Sequence, residues 1–272
     1  MAFKKKSLGQ HFLTSPAIAG KIADAAELTK KDTVLEVGPG EGILTRELLK
    51  RAGKVIAIEK DDRLIEPLQK QFAKEIASKK LLLLHADALR FDISNYFGNK
   101  NFIVVANIPF YITGALMKKL LESKNYPKQM VLLVQKEVAE RIVAKKEKPL
   151  DSARGKESLL SLSIKAYGTP QYVATVKRGS FSPAPAVDSA ILRISDISKK
   201  NFTQFSEKHF FEVLRAGFAH KRKLLMNNLS ATYGKERVQK VCETCNIPEK
   251  VRSEDVSPER WLCLATKLNL PS

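Results

Sequence analysis

Hydrophobic positions in the first 200 residues follow two alternating patterns. Short continuous apolar runs occur at TVLEVG (33–38), KVIAIEK (54–60), KLLLLHAD (80–87), NFIVVAN (101–107) and QMVLLVQ (129–135). Between them, apolar residues recur every three or four positions in PAIAGKIADAAEL, EGILTRELLKRA, DDRLIEPLQKQFA, ITGALMKKLLES and KEVAERIVA. The runs predict strands buried on both faces, and the periodic segments predict amphipathic helices. Strands of that kind alternating with helices predict an α/β domain with a mostly parallel sheet covered on both sides. Ser15 followed by Pro16 reads as a helix N-cap and first helical position. Pro67 argues against an unbroken helix in the third periodic segment.

The pattern changes after residue 170. QYVATVKR and DSAILRI read as two strands joined only by GSFSPAPAV, a link short enough for an antiparallel hairpin at the sheet edge. Beyond about residue 198 strand signals stop. EKHFFEVLRAGFAH, KRKLLMNNLSAT, KERVQKVCETC and PERWLCLATKL all carry helical spacing. Two domains are therefore expected, residues 1–198 and a small all-helical domain at 199–272, with a polar, basic loop at 145–158.

Charge narrows the partners. The formal net charge is +18, with 33 basic against 21 acidic residues in 1–198 and 14 against 8 in 199–272. A field of this size attracts polyanions, nucleic acid first among them, and both domains can touch a phosphate backbone. No run reaches the ~20 apolar residues of a membrane span. MAFKKKSLGQHF starts basic but lacks the apolar core of a secretory signal, which predicts a cytoplasmic chain with no membrane association. Three cysteines, an odd number, argue against a disulfide framework. Cys242 and Cys245 have metal-type spacing but no second ligand pair, so the three are expected to be thiols in helix cores, with no metal site.

The strand ends carry the candidate chemistry. VLEVGPGEGILT places Gly38, Gly40 and Gly42 between a strand and a helix, where glycine allows a sharp turn and close approach of a ligand to the backbone. The spacing is G-x-G-x-G rather than the dinucleotide pattern G-x-G-x-x-G. Glu59 ends the second strand and is placed to accept hydrogen bonds from both hydroxyls of a ribose; Asp87 ends the third and is placed to receive an adenine amine. A ribose and adenine pocket without a pyrophosphate cradle suits S-adenosylmethionine.

The fourth strand ends in Asn107, followed by Ile108, Pro109, Phe110 and Tyr111. The exocyclic amine of adenine is a poor nucleophile because its lone pair is delocalised into the ring. The Asn107 oxygen and the Ile108 or Pro109 carbonyl can accept its two protons and let the lone pair localise. Phe110 can stack on the extruded base. Phe181, stiffened by Pro183 and Pro185, can close the other side of a clamp. Tyr111 taken by itself reads as a core aromatic. The reaction needs no general base, since a methylated amine is acidic enough to lose its proton to water. Positioning and polarisation would then carry catalysis.

In order along the chain, LGQHFL, EVGPGEGILT, VIAIEKD, HADAL, NIPFYIT, LLVQKEVAERI and FSPAPAVDSAIL resemble the motifs of the ribosomal RNA adenine dimethyltransferase family, and RAGFAHKRKLLMNNL is similar to its first C-terminal helices. The resemblance runs from about residue 7 to 265. It implies a Rossmann-like class I methyltransferase fold, S-adenosylmethionine as donor, and two adjacent adenosines near the 3′ end of small-subunit (16S) rRNA as acceptors, each methylated twice in a pre-30S particle by a monomer. It implies cofactor contacts for His11, Leu13, Gly38, Gly40, Glu59, Asp87 and Asn107. It makes Asn107, Ile108, Pro109 and Phe110 the catalytic tetrapeptide and Phe181 the second stacking aromatic. Two positions depart from the family pattern, which commonly has Tyr where Phe110 stands and Asn where His11 stands. Competing readings are a large-subunit (23S) rRNA methylase of the macrolide-resistance type, a non-enzymatic rRNA-binding or transcription factor, and an oxidoreductase.

Overall fold

The computed structural model describes residues 11–98, 100–143 and 156–269. The chain forms two compact units, residues 1–139 with 170–197, and residues 140–169 with 198–272.

The first unit is built on strands β1 (Phe12–Leu13), β2 (Thr33–Val37), β3 (Lys54–Glu59), β4 (Leu81–His85), β5 (Ile103–Asn107), β6 (Gln129–Gln135), β7 (Thr169–Val176), β8 (Phe181–Ser182) and β9 (Ser189–Ser195). Seven of these form one sheet in the order β4-β3-β2-β5-β6-β9-β7. Neighbours from β4 to β6 are parallel, and β9 runs antiparallel to β6. The expected mixed edge is therefore present, with β7 beside β9. β1 and β8 form a separate antiparallel pair that has no counterpart in the apolar pattern.

Helices α1 (Pro16–Ala25), α2 (Ile43–Arg51), α3 (Asp62–Gln71), α4 (Ala73–Ala77), α5 (Ser94–Phe97), α6 (Thr113–Glu122) and α7 (Lys136–Val143) connect the strands. Alternate strand residues Val34, Val55, Ala57, Ile103, Val105, Val131 and Leu133 share one core with Ile22, Leu48, Leu64 and Leu68 of α1 to α3. Their neighbours Leu35, Ile56, Val104 and Leu132 are equally buried, so both faces of the sheet are covered. This explains why the strands read as continuous apolar runs. Each fully buried Leu or Ile contributes about 1.5–3 kcal/mol. The Ser15 side chain caps α1 at Ile18 N, as the sequence predicts. Helix α3 runs through Pro67 without a break, held by buried Leu64 and Leu68 on either side of it.

The second unit contains α8 (Leu159–Lys165), α9 (Glu207–Gly217), α10 (Leu225–Tyr233), α11 (Lys235–Thr244) and α12 (Pro258–Asn269). Its centre is Trp261, fully buried and stacked on Phe218 with ring centroids 5.4 Å apart. The unit begins at 198 in the later sequence, but it also takes residues 140–169, which the expected boundary assigned to the first domain. Polar links bind that segment to the helices. Glu157 N–H donates to Glu254 O at 2.7 Å, and the Tyr167 hydroxyl donates to Glu207 at 2.5 Å. The basic loop expected at 145–158 lies, up to residue 155, outside the described residues.

The cysteine expectation needs correction. Cys245 and Cys263 form a disulfide, because the residue that closes α11 comes within 5.9 Å (Cα–Cα) of the second turn of α12. Cys242 alone remains a buried thiol, and burial pushes its pKa up to about 11.

Candidate active site

Sheet order decides where a cleft can form. From β2 the chain steps outward to β3 and β4, then returns to place β5 on the other side of β2. Connections leaving the carboxyl ends of β2 and β5 part in opposite directions, and open α/β sheets bind ligands at such a switch point. A cleft of about 1030 Å³, counting its open mouth, lies there. Its walls include His11, Leu13, Gly38, Gly40, Glu59, Asp87, Asn107, Ile108, Pro109, Phe110 and Phe181, whereas Gly42 of the glycine turn is not among its lining residues.

The glycine turn forms the floor. Gly40 adopts a left-handed φ of +59°, and a Cβ there would lie 3.0 Å from the Phe12 ring. Its N–H donates to Glu59 Oε2 at 3.1 Å, which ties the turn to the end of β3. Glu59 Oε1 accepts from Lys60 N and Asp61 N, both at 2.8 Å. Burial raises the Glu59 pKa, and these backbone donors oppose the rise. Asp87 is held differently. Its Oδ2 pairs with Lys60 Nζ at 2.9 Å and its Oδ1 accepts from Leu89 N at 2.9 Å. The Lys60 contact, first of all, holds its carboxyl below the usual range.

Asn107 ends β5 half-buried at the cleft wall. Its Nδ2 donates to the His11 carbonyl at 3.4 Å. No described residue donates to Oδ1, so that oxygen remains available as an acceptor. The Pro109 carbonyl accepts from Ile112 N at 3.2 Å, closing a 3-10 turn over Phe110–Ile112. Of the two carbonyls considered, that of Ile108 accepts no hydrogen bond from a described residue and is the freer acceptor.

A strap crosses the same wall. Phe12 and Leu13 pair with Ser182 and Phe181. Thr14 N donates to Ser180 O at 2.9 Å, and the His11 ring bonds through Nδ1 to Pro183 O at 2.7 Å. The loop carrying Phe181 therefore reaches the cleft as expected. Phe181 lines it but is largely core, 5% exposed and packed in one cluster with Leu13. The ring stacked on Phe110 is that of His11, centroids 6.0 Å apart and planes 28° apart.

A model of the family described as "Ribosomal RNA adenine dimethylase" matches residues 1–270. The chain belongs to the ribosomal RNA adenine dimethylase family. "Ribosomal RNA small subunit methyltransferase A" of Dehalococcoides mccartyi strain BAV1 is 44% identical over 96% of this chain and 87% of its own length. The protein of that name from Mycoplasmopsis pulmonis is 36% identical over 97% of this chain and 98% of its own. Among solved structures, the 23S rRNA methyltransferase ErmE superposes with a TM-score of 0.75 at 27% identity, covering 95% of this chain and all of its own. A dimethyladenosine transferase from Plasmodium falciparum gives 0.74 at 28%, covering 93% and 96%. The fold of the family member is thus the Rossmann-like methyltransferase sheet that the strand pattern and the motifs together predicted.

Among the lining residues of this dimethylase cleft that the sequence did not point to are Phe12, Lys60 and Tyr111. Phe12 acts through a strap pairing with no local signal. Lys60 gains its role only because β4 lies next to β3 and brings Asp87 alongside. Tyr111, expected in a core, is 67% exposed at the cleft mouth. In the helical unit, His220, Lys221, Arg222 and Lys223 form an exposed basic turn between α9 and α10. Buried Asn228 fixes it by donating to Gly217 O at 2.7 Å and His220 O at 3.1 Å.

Proposed function

We propose that this family member transfers methyl groups from S-adenosylmethionine to the exocyclic amines of two adjacent adenosines near the 3′ end of small-subunit rRNA, twice on each. The observation that carries the reading is the convergence of Asn107, Glu59 and Asp87 from three strand ends on one cleft. The donor set fits a nucleoside without phosphates. Four carboxylates, Glu41, Glu59, Asp61 and Asp87, and the Asn107 amide line the cleft, and Lys60, the one lysine or arginine among its described lining residues, is already paired with Asp87. Glu59 would hold the ribose hydroxyls, Asp87 the adenine amine, and the Gly38–Gly40 backbone the remainder. When bound, the cofactor supplies an electrophilic methyl group.

The chain's own contribution is to present the amine. Asn107 Oδ1 and the Ile108 carbonyl accept its two protons and turn its lone pair toward the methyl donor. The His11 carbonyl keeps the Asn107 amide from rotating. Phe110 supplies a stacking face for the extruded base, recovering part of the ~1–3 kcal/mol that each lost stack costs. No side chain needs to remove the proton, because the methylated amine releases it to water.

We further assign RNA contacts to the helical unit through its basic turn, and place the protein as a monomer on pre-30S particles in the cytoplasm. The test is to incubate unmethylated small subunits with labelled donor and map the modified nucleotides. Asn107→Ala is expected to abolish transfer while cofactor affinity stays within a few fold; near-normal turnover would remove the polarisation argument. The likeness to ErmE favours one second reading, methylation of large-subunit RNA. Labelling the two RNAs separately decides it, and relatives 36–44% identical that carry a small-subunit name support the first.

A further inference from the structure

Phe110 and Tyr111 are consecutive in one 3-10 turn yet differ in setting. Phe110 packs beside His11 within the cleft, whereas Tyr111 stands two-thirds exposed at its mouth, the most exposed large hydrophobic side chain among the described residues. A single exposed aromatic is unremarkable on a protein surface. This one has specific neighbours. It follows Phe110 in the same turn and shares the cleft lining with Lys60, and Arg90 is exposed three residues beyond Asp87. An exposed aromatic face at the rim of a cleft in a strongly basic chain is the kind of surface on which proteins stack single-stranded bases.

We propose that Tyr111 stacks on the nucleotide flanking the acceptor adenosine. The inference rests on the adenosine methylation argued above. Extruding one base strips its neighbour of a stacking face. Tyr111 lies one residue, ~3.8 Å along the backbone, from Phe110. It can therefore replace that face while Phe110 holds the acceptor. Because the two acceptors adjoin, the adenosine outside the cleft is itself the flanking base.

The test compares Tyr111→Ala and Tyr111→Phe in the full chain. With unmethylated small subunits, Tyr111→Ala is expected to raise the KM for RNA by about 5- to 150-fold, the range of one base–aromatic stack. It should leave kcat and cofactor Kd within about twofold, and Tyr111→Phe should behave as wild type. A short single-stranded RNA with 2-aminopurine beside an adenosine gives an independent readout. Its fluorescence should be quenched on binding wild type and Tyr111→Phe, and not on binding Tyr111→Ala. The proposal is overturned if Tyr111→Ala leaves KM unchanged, if Tyr111→Phe is as impaired as Tyr111→Ala, or if cofactor affinity falls in parallel. A wild-type chain that transfers no methyl group refutes the underlying reading instead, and the 2-aminopurine measurement still decides the stack.

Discussion

Glu36 sits on β2 two residues before the glycine turn, completely buried. Neither carboxyl oxygen has a hydrogen-bond partner among the described residues, and the neighbouring Thr45 hydroxyl is also without one of good geometry. Burial pushes its pKa to about 8 from the ordinary 4.5; Thr45 moderates the rise and the charge on Glu59 adds to it. Below pH 4.5 the folded and unfolded chains both carry the proton, and the site's full stability is present. Between 4.5 and 8 the unfolded chain has lost the proton and the folded chain keeps it. Each pH unit in that window then lowers stability by about 1.4 kcal/mol. Above 8 both forms are ionised and the loss levels off near 5 kcal/mol, the product of that slope and the width of the window. Glu36→Gln keeps the shape and removes the ionisation. Urea unfolding of both proteins at constant ionic strength, from pH 5 to 9, measures the difference, in which titrating groups that do not interact with Glu36 cancel. The variant should gain on the wild type steadily up to about pH 8 and no further. Parallel curves would refute the reasoning, since they would mean that Glu36 ionises as an ordinary solvated carboxylate.

Gly42→Ala should lower stability by about 2–4 kcal/mol in the same assay: φ is +80°, and the new methyl would lie 2.6 Å from the buried Phe72 ring. Gly217→Ala would put a methyl 2.3 Å from Trp261, so about 1–3 kcal/mol of overpacking should destabilise the helical unit while cofactor affinity, measured by calorimetry, stays unchanged. Removing Lys221, Arg222 and Lys223 together should weaken RNA binding and flatten its salt dependence by about two in the slope of log K against log salt; an unchanged slope would exclude the basic turn from the RNA footprint.

How far the sequence could be read depended on how local the determinants were. The five parallel strands were legible to within one or two residues, in β2, β3, β5 and β6 because burial on both faces leaves no polar alternation to blur their ends, and in the half-buried edge strand β4 because its leucines run without a polar break. The pair β1–β8 was not. Two residues make too short a strand to carry a pattern, and the contact joins positions as far apart as His11 and Pro183, 172 residues. Helix α8 had a local signal that went unused: Ser158 and Ser161 form a capping box at its start. The Cys245–Cys263 link had none, since it depends on how α11 packs against α12 rather than on any spacing between the two cysteines.

The cleft separates the two kinds of information further. Gly38, Glu59, Asp87 and Asn107 each stand where an apolar run ends, so each was legible locally, one by one. Their convergence follows from sheet order alone: β2 lies between β3 and β5 in space but is separated from β5 in sequence by two further strands. The stacking face opposite Phe110 followed neither rule. Phe181 was the aromatic with the right chemistry and flanking prolines, yet pairing with Leu13 draws it into the core and leaves His11 against Phe110. A side chain contributed by a strap is positioned by the strap's distant partner. Its contacts therefore become readable only once that pairing is known, however plain its chemistry is in the sequence.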